Sequence, residues 1–84
     1  MIGELNSRVA DVPAALARAE AVFAADEQVS PDELDGLTLT HPRWWFNLRA
    51  SNTESLLRLN VEADDPSLMA SVRDRVLTAI RSEP

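Results

Sequence analysis

The hydrophobic positions of the chain recur with two different periods, and the longer one, of about 3.6 residues, marks two helices. The spacing predicts helices over residues 12–25 and from residue 66 to about residue 81. Asp11 is a good cap for the first, and Asp65 followed by Pro66 starts the second. Each helix is expected to turn one apolar face to the core. These faces comprise Val12, Ala15, Leu16, Ala19, Val22 and Phe23, then Leu68, Met69, Val72, Val76, Ala79 and Ile80.

The shorter period, an alternation of apolar and polar residues, predicts β-strands. It marks four segments, namely residues 3–9, 37–40, 43–49 and 56–62. Because side chains change face at each residue, Trp44, Phe46 and Leu48 should face the helices, and Trp45, Asn47 and Arg49 the other side. In the fourth strand Leu57, Leu59 and Val61 should face the helices, and Arg58 and Asn60 the other side.

The order of elements, strand, helix, three strands and helix, indicates the architecture. It predicts an α+β two-layer sandwich, a four-stranded and mainly antiparallel sheet with two helices on one face. We expect the uncovered face to be partly hidden by neighbouring domains, and Trp45 to contact another domain rather than a sugar.

The segment 26–35 is rich in polar residues and is predicted to be a connection, ending in a turn at Asp35 and Gly36. Its carboxylates, on Asp32, Glu33 and Asp35, are of the type that binds Mg²⁺. Metal sites need convergent ligands, however, and charged residues on a connection are usually solvated. We therefore predict no metal site, and a loop histidine at His41.

Composition narrows the classes of function. The 84 residues make one small domain, and the absence of cysteine excludes disulfides and thiolate metal sites. No apolar run approaches the roughly 20 residues that span a bilayer, and no secretion signal is visible, so we expect a cytoplasmic protein without a membrane partner. A net charge of −6 argues against nucleic-acid binding, although all eight basic residues are arginine.

The candidate chemistry lies at a polar corner between the third and fourth strands. Arg49 offers a planar fork of donors, Ser51 and Thr53 offer hydroxyls, and Asn52 offers an amide. Consecutive turn amides add a concave nest for an anion. The same residue types also build ordinary hairpin turns. The corner has no nucleophile–base pair and no glycine-rich loop leading into a helix, so it is suited to binding and not to catalysis.

The run WWFNLRASNTESLLRLNVEA strongly resembles the C-terminal domain signature of the phosphohexomutases, the phosphomannomutase and phosphoglucomutase family, commonly RPSNTEPLLRLNVEA. The upstream stretches GELNSRVADVPAALARAEAVFA and DELDGLTLTHPRWWFN are similar to actinobacterial-type phosphomannomutases. The resemblance covers essentially the whole chain. It implies a TATA-box-binding-protein-like fold and a single domain over residues 1–84, the C-terminal (fourth) domain of an enzyme whose remainder is absent.

The resemblance also implies a function. The parent enzyme would interconvert mannose 6-phosphate and mannose 1-phosphate by phosphoryl transfer, with a phosphoserine, Mg²⁺ and hexose 1,6-bisphosphate acting outside this chain. Arg49, Ser51, Asn52 and Thr53 would hold the phosphate that is not transferred. No catalytic residue and no cofactor are expected within the chain itself, which should be inactive alone. Its partners would be the hexose phosphate and the other domains of the enzyme.

Two positions depart from the family pattern, because Ala50 and Ser55 stand where many relatives have proline. Without proline the connection is less constrained, so we expect weaker phosphate binding with the same donors.

Two alternative functions stay open. One is a mutase that acts on a glucose or glucosamine phosphate, and the other is a non-catalytic interaction module that binds RNA on its sheet. The negative charge and the single candidate aromatic, Trp45, speak against RNA.

Overall fold

The computed structural model of the protein describes residues 2–33, 36–50 and 56–82, with side chains described from residue 6 onward. The elements are β1 Ile2–Arg8, α1 Val12–Val22, β2 Ser30–Asp32, β3 Leu37–His41, β4 Trp44–Ala50, β5 Leu56–Ala63 and α2 Pro66–Ile80. The strands form one sheet in the order β1-β5-β4-β3-β2, and each of these pairings is antiparallel. The predicted α+β class is confirmed. Among the described residues, neither helix is both long and apolar enough to cross a membrane.

The core lies between the two helices and one face of the sheet, as the alternation predicts. Its sheet side is formed by Phe46, Leu48, Leu57, Leu59 and Val61, and Trp44 closes one end. The helix side is formed by Ala15 and Ala19 of α1 and by Val72, Val76, Ala79 and Ile80 of α2. Apolar burial on this face therefore fixes which side of every strand points to the helices.

Both helices begin at the predicted caps. The Asp11 carboxylate accepts a hydrogen bond from the Ala14 amide at 3.1 Å. The Asp65 carboxylate accepts one from the Leu68 amide at 2.8 Å. Each cap satisfies one of the amides that the first turn of a helix leaves without a partner.

The sheet has five strands and not four, because β2 lies within the segment that the sequence assigns to a polar connection. Residues Ser30, Pro31 and Asp32 are exposed, and they pair with Thr40, Leu39 and Thr38 of β3. This short strand pairs through its backbone and its residues are exposed, so no hydrophobic pattern marks it. Pro31 is compatible with it because an edge strand can dispense with an amide donor.

Two further predictions need correction. The first helix ends at Val22 and not at residue 25, and Val22 is 36% exposed, while Phe23 just beyond it is buried. His41 is not a loop residue, since it ends β3 and its ring stacks on Trp44 with centroids 5.1 Å apart. The His41 Nδ1 accepts a hydrogen bond from the Arg43 amide, so the ring also holds the turn into β4.

The helices are joined by a reciprocal pair of arginines. From α1, the Arg18 guanidinium donates to the carbonyl oxygens of Ala79 at 2.8 Å and Ile80 at 2.9 Å. From α2, the Arg75 guanidinium donates to the Val22 carbonyl oxygen at 3.3 Å and lies over the Phe23 ring. Each helix therefore places a cation at the negative C-terminal end of its antiparallel neighbour.

Replacing Arg18 with Met should lower the free energy of unfolding by about 1.5–3 kcal/mol, because two helix-terminal carbonyls lose a charged donor while most of the aliphatic stem is kept. Urea denaturation measures the change. Arg73→Met is the matched control on α2, since the Arg73 guanidinium pairs with the exposed carboxylate of the neighbouring Asp74 on the same helix. It should shift stability by less than about 0.5 kcal/mol. Equal losses in the two variants would contradict the role given to Arg18.

Candidate anion-binding site

The face of the sheet opposite the helices, called the open face below, is polar and internally bonded. Three cross-strand pairs of β4 and β5 lie on it: Trp45 with Glu62, Asn47 with Asn60, and Arg49 with Arg58. The Trp45 indole donates to the Glu62 carboxylate at 2.7 Å. The Asn47 amide donates to the Thr38 hydroxyl at 2.9 Å. These half-buried polar groups in the middle of the face therefore have hydrogen-bond partners within the domain.

Arg49 is the second-to-last residue of β4, and its side chain is exposed on the open face as the alternation predicts. Arg58 of β5 is its direct partner in the register and is also exposed. Directly opposed residues of an antiparallel pair have Cβ atoms about 4.5–5.5 Å apart. Two arginine side chains thus start from neighbouring points near the end of the paired part of the β4–β5 hairpin. Each also has an interaction within the domain.

Gly36, which directly precedes β3, packs against the end of β4. Its φ of 75° lies in the left-handed region that favours glycine. A Cβ atom at this position would collide with the Leu48 carbonyl oxygen and would lie 3.1 Å from the Arg49 Cγ. The Gly36 backbone therefore packs directly against the strand and the stem of Arg49. The lack of a side chain at Gly36 thus leaves room for the Leu48 carbonyl and the Arg49 side chain.

The other predicted site residues, Ser51, Asn52 and Thr53, lie outside the described residues, as does Ser55. The strands on either side of this segment are paired, since Ala50 pairs with Leu57 across the β4–β5 hairpin. The predicted hairpin is confirmed, and its connection begins immediately after Arg49 and Ala50. The convergence of all four donors on one anion stays a prediction.

Arg58 is the residue that sequence reasoning left out of the site. The alternation already assigns both Arg49 and Arg58 to the uncovered face. What it cannot supply is the register, which pairs residues that lie nine positions apart along the chain. A hairpin with five residues between its strands places the two arginines side by side.

The site does not fit a divalent cation, because arginine side chains repel Mg²⁺ and carboxylate oxygens are its usual protein ligands. Among the described residues, no group of three or more His, Asp or Glu side chains is arranged to hold a metal ion. Asp32 and Glu33 are exposed near the far edge strand, and Asp35 lies outside the described residues. The chemistry available at the hairpin end is the binding of an anion.

Comparison with known proteins agrees with the sequence resemblance. Residues 4–79 match the family model described as phosphoglucomutase/phosphomannomutase, C-terminal domain. The chain belongs to this domain family.

Named relatives extend the match. A phosphomannomutase of Salmonella typhimurium is 46% identical over 81 residues, 96% of this chain and 18% of that protein. The phosphomannomutase of Escherichia coli K12 is 40% identical over 81 residues, again 96% and 18%. A Xanthomonas campestris protein named phosphohexose mutases is 41% identical over 76 residues, 90% of this chain and 17% of that protein. The chain thus spans under a fifth of these relatives, and the more specific actinobacterial likeness stays a prediction.

Replacing Gly36 with Ala should destabilise the chain by about 1–3 kcal/mol, because the new Cβ requires a strained backbone and displaces the end of β4. Urea denaturation measures the loss, and the amide shift of Arg49 reports the displacement. Glu33→Ala, an exposed change just before the same turn, is the control and should alter stability by less than about 0.5 kcal/mol. A Gly36→Ala variant as stable as the parent would show that the close packing against β4 is unimportant.

Proposed function

We propose that this chain is the C-terminal domain of a cytoplasmic phosphomannomutase and that it holds the phosphate of the hexose phosphate that is not being transferred. Arg49, Ser51, Asn52 and Thr53 are the donors, and we add Arg58 as a second guanidinium. The observation that carries the proposal is the position of Arg49, exposed at the hairpin end of the open face and directly opposite Arg58. Membership of the mutase domain family supports it.

The chemistry of the grip follows from the donors. A guanidinium presents parallel N–H groups that match two oxygens of a phosphate, and a second guanidinium across the hairpin balances the second negative charge. Hydroxyl and amide donors of the connection complete the contacts. Charge-assisted hydrogen bonds contribute about 1.5–3 kcal/mol each, so one or two of them correspond to roughly millimolar affinity for the isolated chain.

Holding one phosphate contributes to catalysis at the other end of the sugar. Phosphoryl transfer depends on in-line positioning and on charge neutralisation more than on covalent help from side chains. A fixed distal phosphate orients the hydroxyl that attacks and the ester that breaks. The phosphoserine and Mg²⁺ that carry the transfer belong to other domains, so the chain alone should bind without turnover.

The proposed site recognises the phosphate and not the sugar, because every donor in the proposed set would bind anionic oxygens. The same domain therefore serves a mannose, glucose or glucosamine phosphate equally well. We favour mannose because relatives from Salmonella and Escherichia coli carry the name phosphomannomutase. The name phosphohexose mutases for the Xanthomonas relative keeps glucose phosphate as the alternative.

Titration of the isotope-labelled chain with mannose 6-phosphate should shift the amides of residues 49–53 and 58 with a roughly millimolar dissociation constant. Arg49→Gln should weaken binding about tenfold or more, since it removes a charge-assisted contact. Arg43→Gln is the matched control, because Arg43 precedes β4 at its other end and pairs with Asp64 and Asp65. Shifts spread evenly over the surface, or equal weakening by both variants, would refute a local phosphate site.

Mannose 6-phosphate, glucose 6-phosphate and inorganic phosphate should bind the chain with dissociation constants within about threefold of one another, because the shared phosphate supplies the charge-assisted contacts. Free mannose should produce no shift at residues 49–53. The same amide titration measures all four compounds, and mannose serves as the uncharged control. Tight binding of one sugar phosphate alone would show that this domain reads the sugar as well.

A further inference from the structure

A third arginine shares the open face with Arg49 and Arg58. Arg8 is the last residue of β1 and is exposed, whereas Ser7 beside it is buried on the helix side. In the register Asn6 pairs with Arg58 and Arg8 pairs with Leu56. Arg8 therefore lies one step beyond Arg58 toward the hairpin connection, on the same face and on the neighbouring strand.

The separation of the strands allows Arg8 to act on a bound anion through its charge from its exposed position. Diagonal neighbours on one face of an antiparallel pair are about 7–8 Å apart. Arg49 is a further strand away, since β5 lies between β1 and β4. An anion held between Arg49 and Arg58 is thus about 8 Å or more from the backbone of Arg8. Across that distance a charge is felt in water but is screened by salt.

The charges of the open face are separated along the strands. The arginines lie at the hairpin end, while Glu62 lies at the other end of β5, followed by Asp64 and Asp65. The chain as a whole carries a net charge of −6, which repels an approaching dianion. The arginines at the hairpin end locally offset this repulsion of a dianion.

We propose that Arg8 strengthens phosphate binding at the hairpin end through its charge, without touching the ligand. This inference rests on the proposed phosphate grip and adds to it a residue on a different strand. If the Arg8 guanidinium and the dianion are about 8 Å apart, Coulomb's law in water gives roughly a fourfold gain in affinity at 10 mM ionic strength. The gain falls to about twofold at 0.15 M and disappears at 1 M, where the screening length is about 3 Å.

The test compares Arg8→Gln and Arg8→Lys with the parent chain. The initial slope of the amide shifts at residues 49, 50 and 58 is measured with mannose 6-phosphate below about 1 mM, so that the ligand adds little ionic strength. Arg8→Gln should weaken binding about fourfold at 10 mM salt and not at all at 1 M. Arg8→Lys should bind as the parent does, because it keeps the charge and lacks the planar fork.

Arg43→Gln removes the same charge at the far end of β4, about 20 Å from the site, and should change binding by less than about 1.5-fold at 10 mM salt. Equal binding by the parent and Arg8→Gln at 10 mM salt would overturn the inference. So would a loss in Arg8→Lys that persists at 1 M salt, which would make Arg8 a direct ligand. Arg49→Gln separates the two proposals: if it binds normally the grip itself fails, and if it alone loses binding only the role of Arg8 fails.

Discussion

The pairing register between β4 and β5 is the constraint on which the rest of the structure depends. It places Phe46 beside Val61 and Leu48 beside Leu59 on the buried side, and Arg49 beside Arg58 on the open side. A slip of one residue would turn every side chain of a strand to the opposite face. The apolar residues would enter water and an arginine would enter the core. Hydrophobic burial on one face therefore positions the charged pair, although Arg49 and Arg58 are themselves exposed.

The middle of the open face shows how a sheet can leave one side uncovered. Trp45 is bonded to Glu62, and Asn47 is bonded to Thr38, so these half-buried polar groups have partners without another domain. The same arrangement bears on the RNA-binding alternative. An aromatic ring held beside a carboxylate is a poor platform for a polyanion, because the carboxylate repels the phosphates that accompany a stacked base.

The sequence was sufficient for those parts of the fold that are determined by burial. Both helices, four of the strands and the opposite directions of Trp44 and Trp45 follow from side chains that alternate between core and solvent. β2 was not predicted, because its three residues are exposed and pair with β3 through the backbone. His41 was misassigned because its stacking on Trp44 depends on the path of the turn between them, which periodicity does not encode.

The candidate site divides in the same way. Arg49 and its face were predictable from alternation, since both depend on neighbours along one strand. The positions of Arg58 and Arg8 near Arg49 depend on pairing between strands, where β5 brings together residues from the beginning and the middle of the chain. The fit of Gly36 under Arg49 likewise depends on how closely β3 approaches β4. Non-local distances of this kind have no signature in a single sequence.

The reciprocal arginines of α1 and α2 also determine how the domain responds to acid. Arginine keeps its proton throughout the range of pH in which carboxylates and imidazole gain theirs. Arg18 and Arg75 donate to backbone carbonyl oxygens, which do not gain a proton in this range. Acidification therefore leaves these arginine contacts between the two helix ends intact, so this link between the helices does not depend on the protonation of any carboxylate.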